Sequence, residues 1–395
     1  MVKIGAVGTG SRFQIAHAPS YPSLEEAQLV AIADPSESNL KAALRHLRQI
    51  YESAAKEADL LDPDRAEQLR ATASSIKGYT SLDAMLAREE VELIDFCMPA
   101  RYHDQIIEAV KRGIAAMMEK PMAYSYLEAQ RIWQAVKDNR VFFQYNEEGI
   151  FDPFYYTAKK IVDGGSIGEP LLVSVGLSLS GPEEEGWPWD WTQTGGGALV
   201  GLASKAITVG YFIAGFKKQI AQIKSAEPDG ISRNVGDRLM GHRFRSFDVE
   251  DDAHVLLRLE GEKGDWVTLL AEGSWLAEGS NYLAVQGTKG TLKGEKSDTK
   301  LHVTEFSGQA REVSVPRWNS FEMELSNALE CLKDGNHSIS DEDVGLETMV
   351  AVGGAYLSEL KGRIAVTPDE FKDFAATFKS GEELVRTLIE GIRRK

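Results

Sequence analysis

The chain predicts an α/β protein in two parts: a doubly wound parallel sheet over residues 1–147, and a second α/β domain over residues 148–395. Three observations predict this. Apolar, strand-like runs alternate with helical stretches through the first third, and such alternation gives parallel strands joined by right-handed crossovers. The first run, VKIGAVG, passes directly into a glycine turn, GTGSRF. In the second half LLVSVGLSLS, AHVLLRLE, WVTLLAEGSW, NYLAVQGT and KLHVTEF are short runs parted by turn residues, the pattern of antiparallel strands.

Gly8 and Gly10 give the tight turn and the close backbone approach that a pyrophosphate needs at a helix N-terminus. Ser11, Arg12 and Phe13 complete the turn, with Phe13 standing where a third glycine is usual. AQLVAIADPS is a second buried strand ending in Asp34. A carboxylate there accepts hydrogen bonds from the adenosine ribose and repels a 2′-phosphate, which favours NAD over NADP. Residues 38–75 are charged and alanine-rich and read as long or paired helices broken at LLDPDR. GYTSLDAMLA gives a short strand and helix, and VELIDFCMPARYHDQ a fourth strand with Pro99 and His103 in its loop. IIEAVKRGI is helical, AAMMEKPMAYSYLEAQRIWQAVKDN holds a strand, a loop and a helix, and RVFFQYN is a last strand. The cofactor loops then fall at strand carboxyl ends: Gly8–Phe13, Asp34, Pro99–His103 and Glu119–Pro121. SFEMELSNALECL and LETMVAVGGAYLSEL are helical.

The chain's 395 residues suffice for two domains and a large core. Its 43% hydrophobic and 26% charged residues are those of an ordinary globular protein. A net charge of −16 argues against nucleic acid or an anionic membrane as a general partner. Cys97 and Cys331 are the only cysteines, which suits a reducing, cytoplasmic setting and excludes a disulfide framework. MVKIGAVGTG enters a strand at once rather than a signal peptide. The most apolar stretch, 198–214, is interrupted by Lys205, so no membrane span is expected. The histidines are scattered, with no H-x-x-x-H or C-x-x-C, and no metal is expected.

E-K-P at Glu119, Lys120 and Pro121 resembles the Gfo/Idh/MocA oxidoreductases, as do CMPARYH, FDPFYYTAKKIVDGGSIGEP, GGGAL, VEDDAHVLLRLEG and VQGTKGTLKGE. The resemblance implies an N-terminal Rossmann domain, NAD(P) as cofactor and substrates among sugars, polyols and their derivatives. It also implies a C-terminal domain with a large, mostly antiparallel open sheet, and a homodimer or homotetramer formed through that sheet. It assigns Lys120 to hydrogen-bond the reacting oxygen and assist proton transfer. His103 resembles the family's loop histidine near the nicotinamide ribose, or is a structural histidine; Ala100 departs from the usual asparagine. The helix after the glycine run usually carries D-x-G-x-H-x-x-D. Here those positions read Gly201, Ala203, Lys205 and Thr208, which puts Lys205 in the histidine's place on a face shared with Gly201 and Thr208. A buried, unpaired ammonium is costly, so Lys205 either meets a partner in the pocket or snorkels to the surface.

Oxidising a secondary alcohol needs a hydride acceptor and a base for the hydroxyl proton. Lys120 and Lys205 side by side would make one of them titrate low enough to act as that base, or would together grip an anionic sugar. Glu147 and Glu148 depart from the family's usual asparagine and arginines. They read as a partner for Lys205, a general base or a solvated acidic turn. Trp187, Trp189 and Trp191 offer faces for stacking on sugar rings, or form a lid or core plug. The leading expectation is an NAD-dependent oxidoreductase acting on a sugar-like secondary alcohol. One alternative is a redox-neutral, glycoside-cleaving or isomerising enzyme with tightly bound NAD. Another is a non-catalytic NAD-binding sensor or regulator.

Overall fold

The computed structural model describes residues 1–182, 187–226, 230–232, 237–240, 243–276 and 279–393. The first elements are β1 (Val2–Val7), β2 (Ala27–Ala33), α1 (Glu37–Ala58), α2 (Pro63–Ser75), β3 (Lys77–Tyr79), α3 (Leu82–Leu86) and β4 (Leu93–Phe96). There follow α4 (Gln105–Lys111), β5 (Ala115–Glu119), α5 (Tyr126–Asn139), β6 (Phe143–Asn146), α6 (Glu148–Phe151), α7 (Pro153–Asp163) and β7 (Pro170–Ser178). Next come α8 (Trp191–Thr194), α9 (Ser204–Ala214), β8 (Gln219–Ser225), β9 (Ile231–Ser232), β10 (Asp237–Met240) and β11 (Arg243–Ser246). β12 (Asp252–Glu260), β13 (Trp266–Ser274), β14 (Tyr282–Gly287), β15 (Gly290–Glu295), β16 (Lys300–Glu305) and β17 (Ala310–Ser314) complete the strands. The chain ends in α10 (Ser320–Asp334), α11 (Glu342–Leu360), α12 (Pro368–Ala376) and α13 (Gly381–Arg393).

Two units result, and they are not sequential. The first comprises Met1–Lys120, Arg131–Glu148 and Trp318–Glu342; the second comprises Pro121–Gln130, Gly149–Arg317 and Asp343–Lys395. The expected boundary near 147 is one crossing among several. α10 belongs to the first unit because Leu325, Ala328 and Leu329 are buried in one cluster with Ile4, Leu29 and Leu93. Burying a leucine is worth about 1.5–3 kcal/mol, so an amphipathic helix goes where its apolar stripe finds cover.

The first unit holds a six-stranded parallel sheet in the order β3-β2-β1-β4-β5-β6. All residues of β4, β5 and β6 are buried, as suits central strands covered on both faces, including the polar Asp95, Glu119, Gln144 and Asn146. Strand order reverses between β1 and β4, and in such sheets ligands bind at the carboxyl ends beside that reversal. The charged 38–75 stretch folds as the paired helices α1 and α2. Ser36 caps the first, and Asp62 with Pro63 starts the second.

The second unit holds a nine-stranded sheet along β17-β16-β15-β14-β7-β13-β12-β8, with β9 beside β12. Among the described residues only the β7–β13 pair is parallel. On β12, Val255, Leu257 and Leu259 are buried while Leu256, Arg258 and Glu260 on the opposite face are not. α9 lies on the covered face at close range: a Cβ on Gly210 would meet Leu269 Cδ1 at 2.2 Å, and one on Gly273 would meet Ala203 N at 2.3 Å. The run Trp191–Ala214 is long and apolar enough to cross a membrane by length and composition, contrary to the expectation that no stretch would be. Its apolar window is 89% buried, and every residue of α9 is buried, as suits a core helix.

Candidate functional site

In the first unit the carboxyl ends of β1, β2, β4 and β5 bring Gly8–Phe13, Asp34, Met98–His103 and Glu119–Lys120 to one edge of the sheet. Gly8 has φ of +86°, and a Cβ there would meet Met98 N at 2.8 Å, so only glycine lets β1 turn so close to the end of β4. A Cβ on Gly10 would meet nothing within 4 Å, which leaves that face of the turn open to a ligand. Asp34, buried, braces the turn: Thr9 N donates to its Oδ2 at 2.7 Å, Thr9 Oγ1 to the same oxygen at 3.1 Å, and Ser36 N to its Oδ1 at 2.8 Å. A carboxylate oxygen accepts two hydrogen bonds, so Oδ1 keeps capacity for a ribose hydroxyl. These residues fit a dinucleotide.

Several predicted cofactor side chains do other work. Phe13 is fully buried beside Tyr21, so it offers the turn its backbone only. His103 is buried, its Nε2 2.7 Å from Met98 O, which braces the loop after β4. Glu119, at the end of β5, turns inward. It accepts from Arg12 Nε at 2.7 Å and lies 2.9 Å from His17 Nε2. His17 Nδ1 is 2.8 Å from Asp95 Oδ2, which also accepts from Tyr21 Oη at 2.6 Å. Arg12 lies 4.8 Å over the Phe321 ring and 3.6 Å from Glu148 Oε2. Arg12 is therefore one partner of Glu148. Glu147 is buried.

Burial opposes a charge on His17, but Asp95 outweighs it and holds the imidazole well above its ordinary value. Burial likewise opposes ionisation of Glu119, and Arg12 and His17 outweigh it, keeping its carboxylate charged. Beside them Glu324 on α10 is wholly buried, with no hydrogen-bond partner for either oxygen. Burial first, then the Glu119 carboxylate, push it well above the ordinary carboxylate range. His17, Asp95 and Cys97, and His17, Glu119 and Glu324, are the sorts of side chain that ligate metals, each set within 4.8 Å. Scattered histidines hid this grouping.

In the second unit the glycine run has a steric cause. Gly195 has φ of +82°, and a Cβ there would meet Tyr124 O at 2.2 Å. On Gly196 it would meet Tyr356 Oη at 2.1 Å, and on Gly197 Glu250 O at 2.0 Å. Glu250 Oε1 accepts from Gly197 N, Leu199 N and Tyr356 Oη at 2.8, 3.0 and 2.8 Å, which places a buried carboxyl at the start of the helical run. That run opens as a π-turn over Leu199–Ala203 before α9. The π-turn breaks the regular spacing between Gly201 and Lys205, whereas Lys205 and Thr208 stand three residues apart within regular α9. A Cβ on Gly201 would meet Trp275 Cζ2 at 2.6 Å, whereas Thr208 Oγ1 lies 2.9 Å from Thr348 Oγ1 on α11. Thr208 thus faces the core. Lys205 is buried at 8% exposure and does not snorkel to the surface.

Trp189, expected either to stack on a sugar or to serve as a lid or core plug, is buried in an aromatic cluster, 4.2 Å from Phe247 and 4.9 Å from Trp275 between ring centroids. Trp191 is half-buried at the start of α8, and the side chain of Trp187 lies outside the described residues.

A family model described as the oxidoreductase family with NAD-binding Rossmann fold matches residues 2–147, and one for the GFO/IDH/MocA C-terminal domain matches 155–293. The chain belongs to the Gfo/Idh/MocA oxidoreductase family. It is 26% identical over 297 residues to an uncharacterized oxidoreductase of Streptococcus pneumoniae serotype 4, covering 74% of this chain and 68% of that one. It is 24% identical over 243 residues to a 2,7-anhydro-N-acetylneuraminate hydratase of Mediterraneibacter gnavus, 60% of each chain. A levoglucosan dehydrogenase solved with NADH and L-sorbose shares the fold at a TM-score of 0.75 and 17% identity, covering 94% of this chain and 100% of that one. Against the family pattern, Trp275 presses on the position of the first acid, a residue for which no local motif spoke. Asp95, Glu324 and Glu250 were also missed, their partners lying far off in sequence.

Proposed function

We propose that this Gfo/Idh/MocA protein transfers a hydride between nicotinamide and a secondary alcohol of a sugar, polyol or sugar derivative, with NAD preferred over NADP. The observation that carries this reading is one edge of the first unit, where an open Gly10 turn, Asp34 and the E-K-P lysine stand at neighbouring strand ends. Asp34 supports the preference for NAD, since a carboxylate at that strand end repels a 2′-phosphate. Gly8, Gly10, Ser11 and Asp34 would hold the cofactor, with backbone contributions from Phe13 and Pro99; bound there, it supplies the hydride acceptor. Lys120 hydrogen-bonds the alcohol oxygen and takes or returns its proton. Pro121 restricts Lys120 to an extended backbone, which narrows where its ammonium can point. Lys205 serves as auxiliary base or as anchor for an acidic group on the substrate; its burial strengthens either effect.

The test is absorbance of reduced nicotinamide with NAD and then NADP over neutral and acidic sugars, using the chain and its Lys120→Ala variant. Reduction of NAD that the variant loses supports the reading; turnover that survives in Lys120→Ala overturns the role of Lys120. The relative named as a hydratase favours one second reading, a redox-neutral reaction on the same scaffold. It would show no net reduction and NAD retained through purification, whereas a sensor would show binding without either.

The open sheet face supports self-association into a homodimer or homotetramer: Leu256, Leu270, Ser174 and Ala284 stand in register across four strands. The two free thiols, Cys97 and Cys331, support a cytoplasmic setting.

A further inference from the structure

Glu119 and Lys120 are neighbours with opposite fates. The Glu119 side chain is buried and held by three donors: Arg12 Nε at 2.7 Å, an Arg12 terminal nitrogen at 3.3 Å and His17 Nε2 at 2.9 Å. Charge-assisted bonds of this kind are short and directional. The backbone of Lys120 is tied to β6 by its N–H, which donates to Asn146 O at 3.2 Å. Lysine is a flexible four-carbon stem with a point charge at its end, so its aim depends on how firmly its Cα is held.

His17 is the member of this chain of contacts that the proposed chemistry leaves unexplained. It is fully buried and touches no open face of the turn. The π-turn Phe13–His17, in which Ala18 N donates to Phe13 O, sets it between two carboxylates from different strands, Asp95 near the end of β4 and Glu119 at the end of β5. Asp95 in turn is fixed by Tyr21 Oη and by Cys97 Sγ at 3.3 Å. Glu324 on α10 lies beside His17 and Glu119 and hydrogen-bonds to neither.

We propose that His17 is the positioning residue of Lys120: by bridging Asp95 and Glu119 it locks the last residue of β5 and so aims the lysine that follows. The proposal rests on Lys120 being the proton-transfer residue, and its test keeps the two separable.

The variants are His17→Leu, His17→Gln and Glu324→Gln in the full chain. Each is read for NADH affinity by fluorescence, for kcat and KM with the sugar that the wild type oxidises, and for the rate at which an amine-reactive ester labels Lys120, with exposed Lys300 as control. A displaced reacting group costs about 10–100-fold in rate. The expected result for His17→Leu is a kcat loss of that size, little change in KM or NADH affinity, and an altered Lys120 labelling rate with Lys300 unchanged. His17→Gln, which keeps an N–H donor, recovers part of the loss, and Glu324→Gln stays near wild type. Wild-type kcat in a folded His17→Leu overturns the proposal, as does NADH affinity falling in step with kcat, which would mark a general loosening of the unit. A Glu324→Gln loss as large as that of His17→Leu, or a divalent cation bound stoichiometrically by the purified chain, also overturns the proposal, since the cluster would then act through something other than the His17 bridge. If no sugar is oxidised, the functional reading fails, and the labelling rate alone still decides whether His17 positions Lys120.

Discussion

Gly201 shows how one missing side chain reshapes a site. The indole of Trp275 lies where a side chain at this position would begin, 2.6 Å from the Cβ position. Overpacking a filled interior costs about 1–3 kcal/mol. Gly201→Asp should therefore lower thermal stability by that amount rather than restore a family site. Pairing it with Trp275→Leu should recover much of the loss, giving a coupling in a double-mutant cycle that distant sites would lack. Equal losses with and without Trp275 would sink the steric account. Lys205 carries the same lesson at the scale of a charge. Its neighbours along α9 are all buried, so a change in this one residue alters the electrostatics of a whole helix face.

The ends of elements carry the buried charge. Glu250 holds the start of the apolar run before α9, where unpaired backbone N–H groups need acceptors. Glu250→Gln keeps an acceptor oxygen and should cost little. Glu250→Leu strands the Gly197 and Leu199 amides and the Tyr356 hydroxyl, and each unsatisfied buried group costs about 1–3 kcal/mol, measurable by denaturant titration. At the β5 end, the His17 bridge has a pH signature. His17 faces Asp95, Cys97, Tyr21, Glu119 and Glu324, and its folded pKa is raised above the ordinary 6.5. A raised base stabilises fully below its unfolded value and loses that contribution as pH rises through the folded one. Glu119 is lowered from 4.5, so its contribution is present above that value and lost as pH falls. His17→Gln should therefore cost most stability between about pH 4.5 and 6.5 and progressively less toward alkaline pH. A cost independent of pH would mean that His17 is neutral in the fold.

For the whole chain, the interleaving of the two units has a consequence for dissection. A fragment ending at residue 148 lacks α10 and leaves the cluster around Ile4, Leu29 and Leu93 without Leu325, Ala328 and Leu329. It also lacks the carbonyl of Ser340 that accepts from Tyr145 N at 2.7 Å. Such a fragment should bind a hydrophobic dye and unfold without a cooperative transition, and joining residues 318–342 to it through a flexible linker should restore one. Cooperative melting of 1–148 alone would show that α10 is dispensable.

Sequence by itself determined what depends on neighbours along the chain. The apolar runs of β1, β4 and β5, the Gly8 turn, Asp34 at the end of β2, the helix pair over 38–75 and E-K-P after β5 are all local patterns, because strand burial, turn sterics and capping act over a few residues. Tertiary structure decided what depends on residues brought together from afar. The partners of His17 lie 78 and 102 residues away, and α10 returns more than 170 residues after β6 to place Glu324 beside them. It also decided that Trp189 is core rather than platform and that Thr208 faces Thr348, since Phe247, Trp275 and Thr348 come from distant parts of the chain. Burial of charge is a property of the assembled interior: only when β4, β5 and α10 close around His17 does water leave, and only then do proton affinities and hydrogen-bond partners take the values that set the site.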